Sequence, residues 1–313
     1  MSEDRRVAVI AGGVGAAKFL RGLLKFYPNE LVTAVVNIAD DFRLHGLAIS
    51  PDLDTVTYTI SGQVNGETGW GRGGESWQVM DELRKIGGQT WFSLGDLDIA
   101  FHLYRTQRLD EGATLSDVTR EICATWGIGA TLLPATDQNV STQLKVIGKG
   151  WLDFQDYFVA HQHNVPVADV RFAGIENASP GPGVIASLEE ADIVIIAPSN
   201  PIVSVRPVLE ISGIREALQK KKESVVAISP IVGGAALKGP ALRMLNELGY
   251  EASAVGVAVL YKDVAQTLVI DQLDAKLSAR IEAEGMRALI TDTIMSDPDR
   301  AAALAKSTLE SVF

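Results

Sequence analysis

Val7-Ala8-Val9-Ile10-Ala11-Gly12-Gly13-Val14-Gly15-Ala16-Ala17-Lys18-Phe19-Leu20 joins an apolar run to a helix-like stretch through three glycines. A strand that turns through glycines into a helix predicts a parallel α/β unit with a phosphate site. The helix N-terminus presents unpaired N–H groups, and the glycines let a ligand approach the backbone. A purely structural tight turn is the competing reading. The loop lacks the Lys-Ser/Thr ending of a Walker pattern. The second apolar run closes in Val36-Asn37 and offers no acidic residue at its tip, as a dinucleotide site would. Lys18 falls in the first helical turn, where it either covers a phosphate or is solvated.

Outward from this unit, short β-branched runs recur at 32–36, 193–197, 225–228 and 255–259, bounded by Gly, Pro, Asn or Asp. Their near-continuous hydrophobicity fits strands covered on both faces by helices. Helical patterns fall at 16–26, 75–86, 115–126, 183–190, 214–222 and 240–248. The fold class expected is therefore α/β, a mostly parallel sheet with helices on both faces. The rhythm weakens between about 90 and 170. This divides the chain into a nucleotide-binding core, 1–90 and 171–313, and an inserted, mainly helical cap at 91–170 that binds the acceptor and excludes water.

The bulk properties narrow the function. Lys and Arg number 28 against 39 Asp and Glu, a net charge of −11, so no nucleic-acid polymer is expected as a partner. A single nucleotide is still compatible, held locally by backbone N–H groups and a divalent ion. One cysteine, Cys123, excludes a disulfide scaffold. No apolar run reads as a membrane span and no signal-peptide pattern opens the chain, so a cytoplasmic protein without membrane association is expected.

The chemistry-bearing residues cluster where open α/β sheets place ligands, beyond the C-terminal ends of strands. Asn37-Ile38-Ala39-Asp40-Asp41 follows the second strand, and Ser50-Pro51-Asp52-Leu53-Asp54-Thr55 brings further carboxylates. Adjacent carboxylates repel unless they share a cation, and oxygen ligands suit Mg²⁺. Asp40 and Asp54 are the leading metal or base candidates, while Asp52 also reads as a helix cap. Ser199-Asn200-Pro201 and Ser229-Pro230 end later strands and converge on the same crevice. Trp70 and Trp77 flank a glycine-rich loop that suits either a flat ligand or a hinge. Asp96 is placed to cap the helix that follows it. His102 and Arg105 fall a turn apart, able to meet one anion or to sit in the core. His161 and His163 have no matching His/Cys set for zinc.

Taken together, Ala11-Gly12-Gly13-Val14-Gly15, Asn37 to Asp41, His45-Gly46, Ser50 to Thr55, Leu94-Gly95-Asp96-Leu97-Asp98, Leu132 to Asp137, Ala178 to Gly183, Ala197 to Pro201 and Ser229-Pro230-Ile231 resemble the 2-phospho-L-lactate and phosphoenolpyruvate transferases of coenzyme F420 biosynthesis. The resemblance implies a Rossmann-like core, Mg²⁺ dependence and a homodimer. It also implies transfer of a phospholactyl or phosphoenolpyruvyl group from a guanosine-diphosphate-activated donor to the ribityl hydroxyl of the deazaflavin alcohol Fo, with release of GMP. The product would be F420-0 or its dehydro form, left un-glutamylated.

By the same resemblance, Gly12, Gly13 and Gly15, with Lys18, Ser199 and Asn200, take the nucleotide side. Asp40 and Asp54 take the metal and reaction centre, and Trp70, Trp77, Asp96 and His102 take the acceptor. An NAD(P)-dependent oxidoreductase and a non-catalytic nucleotide sensor are the alternatives. Donor identity among lactate, enolpyruvate and glycerate is left open.

Overall fold

The protein was analysed as a computed structural model that describes residues 5–160, 165–236 and 240–312, so His161 and His163 lie outside the described residues. In chain order the strands begin with β1 (Val7–Ala11) and β2 (Val32–Val36), then a hairpin of β3 (Phe42–Leu44) and β4 (Leu47–Ile49). Next come β5 (Thr131–Pro134), an antiparallel group of β6 (Ser141–Val146), β7 (Gly150–Asp153) and β8 (Val167–Ala173), and then β9 (Ile193–Ile196) and β10 (Val225–Ile228). Among the helices, α1 (Gly13–Leu23), α2 (Pro51–Ile60), α3 (Gln78–Lys85), α4 (Asp96–Asp110) and α5 (Leu115–Thr125) all precede β5.

The main sheet runs β5, β2, β1, β9, β10, then Thr267–Asp271 and Arg287–Thr291, with every pairing parallel. Strand order grows outward in both directions from β1, so the chain reverses between β1 and β9. That is a Rossmann-like arrangement, and the reversal opens a crevice at the C-terminal ends of those two strands. All five residues of β1 are buried. Ala8 and Ile10 enter one apolar cluster with Val184, Ile214 and Val257, while Val9 and Ala11 enter the opposite one with Phe19 and Leu304. Helices on both faces explain why the strands read as unbroken apolar runs.

One expected strand is corrected. Residues 255–259 are not a strand but part of a helix, Ala254–Tyr261, in which Ala254 to Ala258 are all buried. A helix apolar on every side has no 3.6-residue period to read, so its composition imitates a buried strand. Ser253 nevertheless marks its start by accepting from the Val255 N–H at 3.1 Å. The strand that pairs in parallel with β10 lies one element later, at Thr267–Asp271.

Within 91–170, α4 and α5 supply the helical part of the cap. Thr131–Pro134 instead pairs with β2 at the edge of the main sheet. Among the described residues no helix is long and apolar enough to cross a membrane.

Candidate active site

The glycine turn sits at the reversal, and each glycine is there for a definable reason. Gly12 is extended, and a Cβ on it would lie 2.7 Å from Ser204 Cβ and 2.8 Å from Asp52 Oδ2. Gly13 adopts φ +68°, a conformation that side chains disfavour, and a Cβ there would meet Asp52 Oδ1 at 3.1 Å. A Cβ on Gly15 would overlap the Pro198 carbonyl beyond β9. No side chain caps the start of α1. The turn is thus both tightly packed and left with helix N–H groups uncapped by side chains, which joins the structural and the phosphate readings.

Ser199 bridges the reversal: its Oγ donates to the Gly12 carbonyl at 2.8 Å and lies 3.3 Å from the Gly12 N–H, which donates back to it. Asn200 spends its side-chain oxygen on the N–H groups of Ile202 and Val203 at 2.9 and 3.4 Å, starting the helical turn that follows. Lys18 is half-buried and donates to the Met295 carbonyl at 3.3 Å.

Behind the turn lies a buried acidic cluster. Asn37 is its amide donor, giving Nδ2–H to Asp52 Oδ2 at 2.9 Å and to Asp40 Oδ1 at 3.4 Å. Gln155, from the stretch after β7, donates to Asp40 Oδ2 at 3.5 Å. Burial, then the neighbouring Asp52, holds the Asp40 carboxyl well above the usual carboxylate range. Burial likewise pushes Asp52 up to about 6, with the Asn37 hydrogen bond pulling the other way. Asp41 is raised by burial and accepts from the Ser50 hydroxyl at 2.6 Å.

Asp54 turns to a different partner. Its two oxygens accept from the two terminal nitrogens of Arg105, Oδ2 at 3.2 Å from Nη1 and Oδ1 in a shorter contact with Nη2. His102 Nδ1 is 3.7 Å from Asp54 Oδ2. Burial lowers the His102 pKa to about 4, so the ring is neutral near pH 7. Arg105 thus pairs with Asp54, while His102 lies buried beside the pair, as the core reading expected.

Trp70 and Trp77, expected from the sequence to face an acceptor, are 51% and 45% exposed. Asp96 does not cap its own helix: its carboxylate accepts from the N–H groups of Gln78 and Val79 at 3.2 and 3.1 Å and from Ser76 Oγ, capping α3. In exchange, Glu75 caps α4 by accepting from the N–H groups of Leu97 and Asp98 at 2.7 and 2.9 Å. The expectation that Asp96 caps α4 fails because Gly95, the residue before it, leaves room that the Glu75 carboxyl fills; a Cβ there would overlap it. Asp98 is pushed up to about 6 by burial, with a hydrogen bond from Tyr58 pulling the other way.

A family model described as 2-phospho-L-lactate transferase CofD matches residues 7–308. The chain belongs to this family. Among its relatives, a phosphoenolpyruvate transferase of Streptomyces griseus is 42% identical over 310 residues, covering 97% of this chain and 98% of its own. One of Mycolicibacterium smegmatis is 37% identical over 320 residues, with 97% and 98% covered. Of solved structures, protein BH3568 from Bacillus halodurans superposes with a TM-score of 0.66 at 15% identity, covering 97% of this chain and 99% of that one, a likeness of fold. Membership makes phospholactate or phosphoenolpyruvate transfer the chemistry of this family and the protein a transferase.

The sequence presents Asp52 as one of several carboxylates that also reads as a helix cap, and gives Gln155 and Glu75 no role. One signal was available. Residues two apart on a helix do not face each other, so Asp52 and Asp54 had to serve different partners.

Proposed function

We propose that the protein transfers the phosphoenolpyruvyl group from a guanosine-diphosphate-activated donor to the ribityl hydroxyl of Fo, releasing GMP and forming dehydro-F420-0. The observation that carries this reading is the Asp52 carboxylate packed against Gly12 and Gly13, with Asp40 sharing its Asn37 donor, at the sheet reversal. Names of relatives support enolpyruvate over lactate or glycerate as the three-carbon unit.

The donor set fits Mg²⁺. Among the described residues no three acidic, His or Cys side chains form a ready-made metal cage. Mg²⁺, however, is commonly held by one or two carboxylates together with water and substrate phosphates. Asp40 and Asp52 are buried oxygen donors with one amide between them, an excess of negative charge that a hard cation offsets. Bound by Asp40 and Asp52, the ion would supply neutralisation of the charge on the phosphates.

The chain's own residues do the rest. The N–H groups opening α1 present fixed dipoles to the nucleotide phosphates. The acceptor hydroxyl attacks the phosphorus that bears the enolpyruvyl oxygen, the pyrophosphate P–O bond breaks, and GMP departs. Asp54, held by Arg105 on the side of α4, aligns that hydroxyl, whose proton passes to a carboxylate of the cluster during transfer. Trp70 and Trp77 offer exposed faces for the deazaflavin ring, with Asp96 and His102 shaping the helices beside it. Lys18 and Asn200 line the nucleotide side. The same reading carries a cytoplasmic homodimer.

The test is GMP release from enolpyruvyl-diphosphoguanosine with Mg²⁺, with and without Fo. Release that requires both Fo and Mg²⁺ is expected. Equal turnover without Fo, or none with either the enolpyruvyl or the lactyl donor, rejects the reading.

A further inference from the structure

The first turn of α2 carries two carboxylates that point to opposite partners. Asp52 meets Asn37 and the glycine turn; Asp54 meets Arg105 on α4. Arg105 is only 2% exposed, yet its Nε is buried without a partner. An ion pair taken out of water at that cost contributes little net stability, and apolar side chains would fill the same space at least as well. Its geometry therefore has a use other than holding the fold together.

That geometry extends past Asp54. Arg105 Nη1 also donates to the Ala48 carbonyl at 3.4 Å, and the Ala48 N–H donates to Thr106 Oγ1 at 2.8 Å, so α4 holds both backbone groups of a β4 residue just ahead of α2. Ser50 makes no side-chain cap to α2; its N–H donates to Asp54 Oδ2 at 3.3 Å and its hydroxyl to Asp41. The rotation of α2's first turn is thus set from α4, through a fork that fixes both oxygens of Asp54 in plane. Asp52, two residues earlier on the same rigid turn, inherits its place against Gly12 and Gly13.

From this we infer that Arg105 is a positioning residue: by clamping Asp54 it sets where Asp52 stands, and so links the acceptor-side helix α4 to the nucleotide-side turn. The inference rests on the transfer reading for the roles of those two sides. Arg105 itself touches no substrate in it.

The test uses full-length wild type, Arg105→Lys and Arg105→Met, with circular dichroism to confirm folding, calorimetry with GDP and Mg²⁺, and steady-state GMP release. Arg105→Met is expected to bind GDP with Mg²⁺ at least tenfold more weakly and to lose at least a hundredfold in kcat, while KM for Fo moves less than threefold. Arg105→Lys, which keeps the charge without the fork, is expected to recover part of both losses. Should Arg105→Met fail to fold, Arg105→Lys decides: GDP affinity and kcat both within threefold of wild type overturn the inference. Wild type that binds no GDP and releases no GMP instead rejects the transfer reading, a separate outcome.

Discussion

The two sides of the crevice are built on opposite plans. On the side proposed for the nucleotide, Gly12, Gly13 and Gly15 are each hemmed in by a named neighbour, and Ser199 closes the reversal with a two-way hydrogen bond. On the side proposed for the acceptor, Trp70, Trp77 and Val79 stand exposed, and α3 and α4 begin under carboxylates from each other's approach. A phosphate needs fixed dipoles, and their placement by backbone packing costs no reorganisation when charge develops. A large flat ring needs apolar surface that is accessible before it arrives. The glycine turn therefore tolerates no added atom, whereas the exposed Trp70 and Trp77 tolerate substitution at a cost in binding alone.

Removing charge from the nucleotide side tests this contrast most severely. Asp52→Asn and Asp40→Asn are each expected to cut transfer by about 10²–10³-fold, the scale of losing one preorganised electrostatic partner, with the circular dichroism spectrum unchanged. Near-normal kcat in both variants would remove them from the mechanism.

Next comes Gly15→Ala. Its methyl must displace the Pro198 carbonyl, and overpacking of this kind costs about 1–3 kcal/mol, read as a lower denaturant midpoint together with weaker GDP binding. A neutral effect on both would show the loop after β9 to be looser than its contacts indicate.

A pH experiment sharpens the boundary between the sides. His102 is held neutral, its pKa lowered from 6.5 to about 4 by burial. Between those values the unfolded chain binds the proton and the native protein does not, so stability falls as pH drops through the window. Relative to His102→Gln, wild type is expected to lose up to about 1.4 kcal/mol per pH unit between pH 6.5 and 4. Parallel urea midpoints for the two proteins over this range would contradict that.

The smallest effect belongs to the exposed aromatics. Trp70→Ala is expected to change stability by no more than about 0.5 kcal/mol while raising KM for Fo. An unchanged KM would move the acceptor elsewhere. Cys123 serves as a control: buried, its thiol pushed up to about 11, it should resist iodoacetamide at pH 8 until the protein is unfolded.

The same contrast governs what was legible in the sequence. β1, its glycine turn and α1 were readable because backbone conformation and two-sided burial are written locally, in glycines and in an unbroken apolar run. Asn37 to Asp41 and Ser199 followed from their places after strands. The pairing of Asp54 with Arg105, across 51 residues, had no local trace beyond the helical spacing of His102 and Arg105, which suited a shared anion and a core position equally. Asp96 misled because a carboxylate at a helix start ordinarily caps that helix, and only the fold brings Glu75 in to take its place. Ala254–Tyr261 misled because a helix apolar on every side shows no periodicity.

The crossed caps of Glu75 and Asp96 make the starts of α3 and α4 one event rather than two. Neither helix can shed its capping carboxylate without the segment 75–79 leaving 95–98, so the amides of Gln78, Val79, Leu97 and Asp98 should exchange with deuterium at a common rate. Opening of the acceptor side would then be a single cooperative step, with its tempo set by two surface carboxylates while the sheet beneath stays closed.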